Sequence, residues 1–130
     1  MTGRSRGIGW GIAEDLACEG ASVVIASKAG VVGEPRHAAY STSKGALLAL
    51  RRAMAIELAG HGVHDNAVSP GPVFTDMLMA ALSRERDSAV LAEITPLQRL
   101  GRTVLHLASD EAGWCTGQAV GMDGGLSVLK

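Results

Sequence analysis

Apolar and polar positions along the chain alternate between two periods, short β-branched runs and longer stripes with helical spacing. From Gly7 to Gly20 the apolar Ile8, Ile12, Leu16 and Ala17 recur at helical intervals, and the glycine of "EGAS" stands where a helix stop is expected. A helix over 8–19 follows. "ASVVIAS", 21–27, is a short apolar run of buried-strand type, and the loop after it carries Gly30, Gly33 and Pro35. Residues 40–59 give the strongest helical pattern, with Leu47, Leu50, Met54 and Leu58 on one stripe and "GHG" closing it. "VHDNAVS", 63–69, predicts a strand stopped by "PGP"; 75–93 predicts a surface-like helix; 103–109 a short helix; and "QAVGMD", 118–123, a last strand before Gly124 and Gly125. Strands alternating with helices predict an α/β fold around a parallel sheet with flanking helices, in one domain spanning 1–130.

Composition narrows the function classes. With 47% hydrophobic and 19% charged residues the chain suits one globular core and not a disordered or fibrous protein. The formal net charge of −1 and the interleaving of acids with bases, as in "RERD" at 84–87, argue against a nucleic-acid or anionic-membrane surface. Arg51, Arg52 and Glu57 break the longest apolar stretch, no run approaches the roughly 18 apolar residues of a membrane span, and "MTGRSRGIG" is not a signal peptide, so a cytoplasmic protein is expected. Cys18 and Cys115 fit neither zinc nor CxxC spacing and are expected to be reduced, half-buried thiols. "HGVHD", 61–65, offers two imidazoles and a carboxylate without further ligands, which predicts a polar turn and no metal site.

Two places carry candidate chemistry. Tyr40 is the one tyrosine of the chain, and Lys44 lies four residues on, so both project from the same face of a helix that begins near Ala39. An ammonium held that close to a phenol favours the phenolate and draws it toward acid–base work near neutral pH; the same spacing also describes one ring and one surface charge on a shared helix. "TGRSRGIG", 2–9, sets Gly3, Gly7 and Gly9 directly before a helix. Glycines admit a pyrophosphate close to the backbone, and the free amides at the helix start favour an anion. A glycine-rich cap without a ligand has the same pattern, and the spacing is not GxGxxG.

Together these pieces resemble the short-chain dehydrogenase/reductase family. Its cofactor loop TGxxxGIG is matched by Thr2, Gly3, Gly7, Ile8 and Gly9, its YxxxK by Tyr40 and Lys44, and its serine, thirteen residues before the tyrosine, by Ser27. "NAVSPGPVFTDM", 66–77, is similar to the family's segment after its sixth strand, and "PLQRLGR", "LASDEA" and "TGQAVGMDGG" resemble its C-terminal third in the right order. The resemblance implies a Rossmann-like fold and hydride transfer between a nicotinamide cofactor and a small-molecule carbonyl or alcohol. It implies that Tyr40 exchanges the proton with the substrate oxygen, that Lys44 lowers the tyrosine pKa and holds the ribose hydroxyls, and that Ser27 hydrogen-bonds the same oxygen. Cofactor contacts are implied for Gly3, Arg4, Ser5, Arg6, Gly7, Ile8 and Gly9, for Tyr40 and Lys44, and for Pro70, Gly71, Val73 and Thr75. No acid follows the strand after the first helix to bind a ribose 2′-hydroxyl, while Arg6 and Lys28 suit a 2′-phosphate, which leans toward NADP(H) over NAD(H).

The sequence departs from the family's pattern in definite places. The strand expected before "TG", the segments between the first helix and "IASKAGVVG" with their Asn-Ala-Gly and catalytic asparagine, and a run expected between Arg102 and Thr103 have no counterpart. The expectation is a truncated member with a three-stranded parallel sheet, 21–27 beside 63–69 beside 118–123. Ser27, Tyr40 and Lys44 remain neighbours in that sheet because no missing segment separates them. A non-catalytic remnant that associates through the helix 40–59, in the family often packed against its copy in a homo-oligomer, is the alternative from a different function class.

Overall fold

The computed structural model describes residues 24–76, Leu78 and 95–128. The predicted helix 8–19, the glycine loop 2–9 and nearly all of the predicted helix 75–93 lie outside the described residues. Three parallel strands form one sheet: β1 (Val24–Ile25), β2 (Ala67–Pro70) and β3 (Ala119–Met122), in the order β1-β2-β3. Val24 pairs with Ala67 and Ile25 with Val68; on the other side Ala67 to Pro70 pair with Ala119 to Met122 in register. The order is the one the sequence predicts. Pro70, which has no amide to donate, occupies the last place of the central strand, where the Gly71 amide takes over and donates to the Met122 carbonyl at 3.2 Å.

Between β1 and β2 run a short helix α1 (Ala29–Val32), in what the sequence shows only as a loop, and the long helix α2 (Ala38–Leu58). A 3-10 turn (Ala59–His61) extends α2, and Gly62, left-handed at φ 71°, ends it where "GHG" predicts the stop. Between β2 and β3 lie α3 (Leu97–Ala108) and a second 3-10 turn (Asp110–Ala112).

Successive residues of β2 feed opposite faces of the sheet. Val68 packs with Val73, Leu100, Val104 and Leu107 on the α3 side, whereas Ala67 packs with Ala26 and Leu48 on the α2 side. Burying side chains as fully as Val68, Leu100 and Val104 contributes about 1.5–3 kcal/mol each.

One sequence expectation is corrected, and one that the sequence leaves open is decided. α3 begins at Leu97, not at 103, and passes unbroken through Arg102 and Thr103, because Leu100, Val104 and Leu107 make a single stripe over β2 and β3. The buried face of α2 is Leu48, Arg51 and Ala55, not the stripe of larger residues; Leu50 is 53% and Met54 36% exposed. On this face Leu48 packs against Ala26 and Ala67, small strand residues that leave room for its side chain.

Candidate active site

Parallel strands put their carboxyl ends on one edge of the sheet, and along this edge lie Ser27 after β1, Gly71 after β2 and Asp123 after β3. Ser27 opens the turn into α1. Its hydroxyl oxygen accepts a hydrogen bond from the Ala29 amide at 3.3 Å, and its carbonyl accepts one from the Gly30 amide at 3.0 Å. The amide occupies one lone pair of the hydroxyl, so the O–H remains able to donate to another oxygen.

Tyr40 sits in the first turn of α2 and is partly open to solvent. Lys44 follows one turn later on the same side, with its ammonium 5.7 Å from the centre of the Tyr40 ring. That ammonium also donates to the Ile25 carbonyl at 3.0 Å, tying the start of α2 to the strand that leads into Ser27. Burial lowers the Lys44 pKa from its ordinary 10.5. Among the described residues one of its three N–H donors is engaged, on the Ile25 carbonyl. The strand end that carries Ser27 and the helix that carries Tyr40 are therefore joined through Lys44.

The segment after β2 is held from below. The Thr95 amide donates to the Pro72 carbonyl at 2.7 Å, and the Thr95 hydroxyl to the Met122 carbonyl at 2.9 Å. At Gly71 the backbone runs against Asp123, where an added Cβ would lie 3.1 Å from the Asp123 Cα. Val73, expected among cofactor contacts, puts its side chain into the core with Val68, leaving only its backbone to face a ligand. Thr75 accepts a hydrogen bond from the Leu78 amide at 3.3 Å and starts the turn that follows. Lys28 forms an ion pair with Glu34 at 3.2 Å, so its ammonium is already partnered. Gly3 to Gly9 and Arg6 lie outside the described residues.

Other polar residues, most of them at the amino ends of β2 and β3 and so away from this edge, carry no motif in the sequence. Arg51 and Asp65, both buried, form an ion pair between α2 and the approach to β2. Burial pulls the Arg51 guanidinium down to about 10, which leaves it charged at neutral pH. The signal in the sequence was a charge at a core position of α2, three residues after Leu48. Asn66 donates to the Cys115 carbonyl at 2.7 Å and accepts from the Gln118 amide at 3.1 Å, which aligns β3 beside β2. The turn around "HGVHD" therefore has exposed imidazoles but a buried carboxylate. Asp123 accepts from the amides of Gly125 and Ser127 at 3.0 Å each. Burial works to raise its pKa, but the hydrogen bonds from Ser127 and Gly125 prevail and hold it below the usual 3.8. Cys115 is a free, partly buried thiol. Among the described residues no helix is long and apolar enough to cross a membrane, and no three His, Cys, Asp or Glu side chains gather.

Comparison with known proteins gives a consistent result. A family model described as enoyl-(acyl carrier protein) reductase matches residues 23–127. An uncharacterized oxidoreductase of Thermotoga maritima is 36% identical over 128 residues, covering 89% of this chain and 51% of that protein. The 3-oxoacyl-(acyl-carrier-protein) reductase of the same organism is 37% identical over 115 residues, covering 84% of this chain and 46% of that protein. Among solved structures, 4-hydroxyisoleucine dehydrogenase complexed with NADH superposes with a TM-score of 0.72 at 28% identity, over 91% of this chain and 52% of that one. The chain thus spans about half the length of the curated relatives it matches.

Proposed function

The chain belongs to the short-chain dehydrogenase/reductase family, and from that premise we propose that it acts as an NAD(P)-dependent oxidoreductase on a small carbonyl or alcohol substrate. The observation that supports this most is the Lys44 ammonium, which reaches from the Tyr40 face of α2 to the Ile25 carbonyl beside Ser27. That bond supports reading Tyr40 as proton carrier, Lys44 as cation and Ser27 as hydroxyl donor at the carboxyl edge of the sheet, the side on which open α/β sheets bind their ligands.

The described residues fit the nicotinamide end of such a cofactor. Among the described residues Lys44 engages one of its three donors, and Gly71 follows β2 at the same edge, its side-chain direction closed by Asp123 and Thr95. When bound, the nicotinamide supplies or accepts the hydride. The chain's own residues do the remainder: the Tyr40 hydroxyl gives a proton to, or takes one from, the substrate oxygen; the Ser27 O–H donates to that oxygen and orients it; Lys44 holds cationic charge beside the phenol. A preference for NADP(H) rests on Arg6, because Lys28 is paired with Glu34.

The test is nicotinamide oxidation at 340 nm with a panel of ketones and 3-oxoacyl thioesters, comparing the chain with Tyr40→Phe. Removing a positioned general acid is expected to lower the rate by about 10²-fold or more. Equal rates in the two proteins would overturn the assignment.

A second copy of the chain is proposed to cover the outer side of α2. Leu50 and Met54, one turn apart on the same flank and 53% and 36% exposed, present apolar surface there that the sheet does not use.

A further inference from the structure

We infer that Gly30 is a positioning residue of this site: its lack of a side chain lets the segment that carries Ser27 rest on the main chain of α2 at Lys44. This deepens the proposed function, whose residues it sets in place. A Cβ built on Gly30 would lie 2.7 Å from the Lys44 carbonyl carbon, 2.9 Å from the Gly45 nitrogen and 2.9 Å from the Lys44 Cβ. Two of these three atoms are backbone of a long helix, so no change of rotamer relieves the overlap. Gly30 lies inside α1 and has no positive φ, which means that space and not conformational freedom requires glycine there.

The contact is one-sided. A Cβ on Gly45, the facing residue of α2, would meet the Gly30 carbonyl oxygen at 3.5 Å, an ordinary van der Waals distance. Alanine therefore fits at 45 and does not fit at 30.

Displacement at Gly30 is transmitted to Ser27 through short connections. The Gly30 amide holds the Ser27 carbonyl, and the neighbouring Ala29 amide holds the Ser27 hydroxyl oxygen. Lys44, on the other side of the contact, is fixed to Ile25. A methyl group at position 30 has to open the gap by about 0.7 Å to reach the 3.4 Å of ordinary contact, and it moves the serine away from the lysine and tyrosine. A misplacement of about 1 Å is enough to cost on the order of 10²-fold in rate when reacting groups must be aligned.

The test compares Gly30→Ala with Gly45→Ala in the full chain. It follows acylation of Lys44 by an amine-selective reagent against pH, using mass spectrometry and Lys130 as reference. This readout needs no turnover, so an inactive wild type would count against the proposed function and leave this inference standing. Loosening α1 from α2 lets water reach the Lys44 amine, so its labelling midpoint is expected to move upward toward 10.5 in Gly30→Ala and to stay at the wild-type value in Gly45→Ala. Circular dichroism at each pH, with Gly30→Ala as folded as the wild type, separates this shift from one caused by unfolding, which also exposes the amine. Where wild-type turnover is measurable, kcat of Gly30→Ala is expected to fall at least about tenfold with the nicotinamide KM within about twofold. An unmoved Lys44 midpoint in Gly30→Ala, or an equal movement in both variants, would overturn the inference. Should Gly30→Ala fail to fold, nuclear Overhauser contacts between the Gly30 Hα protons and the Gly45 amide of the wild type decide it: their presence supports the close approach, and their absence refutes it.

Discussion

At the scale of the residue, Lys44 is the point on which the candidate site turns, because the same ammonium lies over Tyr40 and donates to Ile25. Its lowered pKa has a consequence for stability with a definite sign. Burial disfavours the charged amine in the folded chain, so between the folded pKa and 10.5 the unfolded chain binds more protons, and stability rises with pH through that window. Below the folded pKa the penalty is present in full. Urea unfolding at a series of alkaline pH values is expected to show this rise in the wild type and a smaller one in Lys44→Met. Identical slopes would mean that the amine is as well solvated folded as unfolded. The YxxxK spacing was legible in the sequence because four residues make one helical turn; the bond from Lys44 to Ile25, nineteen residues away, was not, because no local period records it.

At the scale of the element, α2 shows how helical spacing can identify a helix without fixing its inward side. Leu47, Leu50, Met54 and Leu58 carry most of the hydrophobicity, yet the sheet receives Leu48, Arg51 and Ala55. A guanidinium on the buried side is tolerated because Asp65 meets it, and the pair fastens the middle of α2 to the entry of β2. Removing one partner leaves the other charge buried alone, so Arg51→Ala is expected to lose about 3–5 kcal/mol in urea unfolding. Replacing both, as Arg51→Met with Asp65→Leu, is expected to recover most of that loss, since two apolar side chains avoid the desolvation penalty. A double variant as unstable as the single one would show that the pair contributes more than mutual neutralisation. The continuity of α3 through Arg102 and Thr103 is a finding of the same kind: a stripe from Leu100 to Leu107 holds the helix together where a comparison of motifs suggests a break.

At the scale of the whole molecule, β2 is flanked by a strand on each side and covered by a helix on each face, and all four of its residues are buried. The helix that covers one of those faces turns Leu50 and Met54 outward on one flank. Burying such a patch against a second copy removes apolar surface from water, which contributes roughly 25 cal/mol for each Å² covered. Light scattering of the purified chain is expected to give a multiple of the chain mass, and Leu50→Glu with Met54→Glu to give the single-chain mass with the fold retained by circular dichroism. A wild type that scatters as one chain at micromolar concentration would refute association through α2.

The sequence by itself determined the fold class and the order of the three strands, and it named Ser27, Tyr40 and Lys44 as the candidate site. These depend on local periods and on the order of motifs: β-branched runs for strands, 3.6-residue spacing for helices, and a fixed interval from Ser27 to Tyr40 and Lys44. What only the tertiary structure decided are the relations between residues distant in sequence, namely the inward side of α2, the pairing of Arg51 with Asp65, the partner of Lys28 and the close approach at Gly30. The reason is physical. A periodic pattern states that one face of an element is to be buried, but which face fits depends on the size of the side chains opposite, here Ala26 and Ala67, and on which buried charges find partners after the elements have packed.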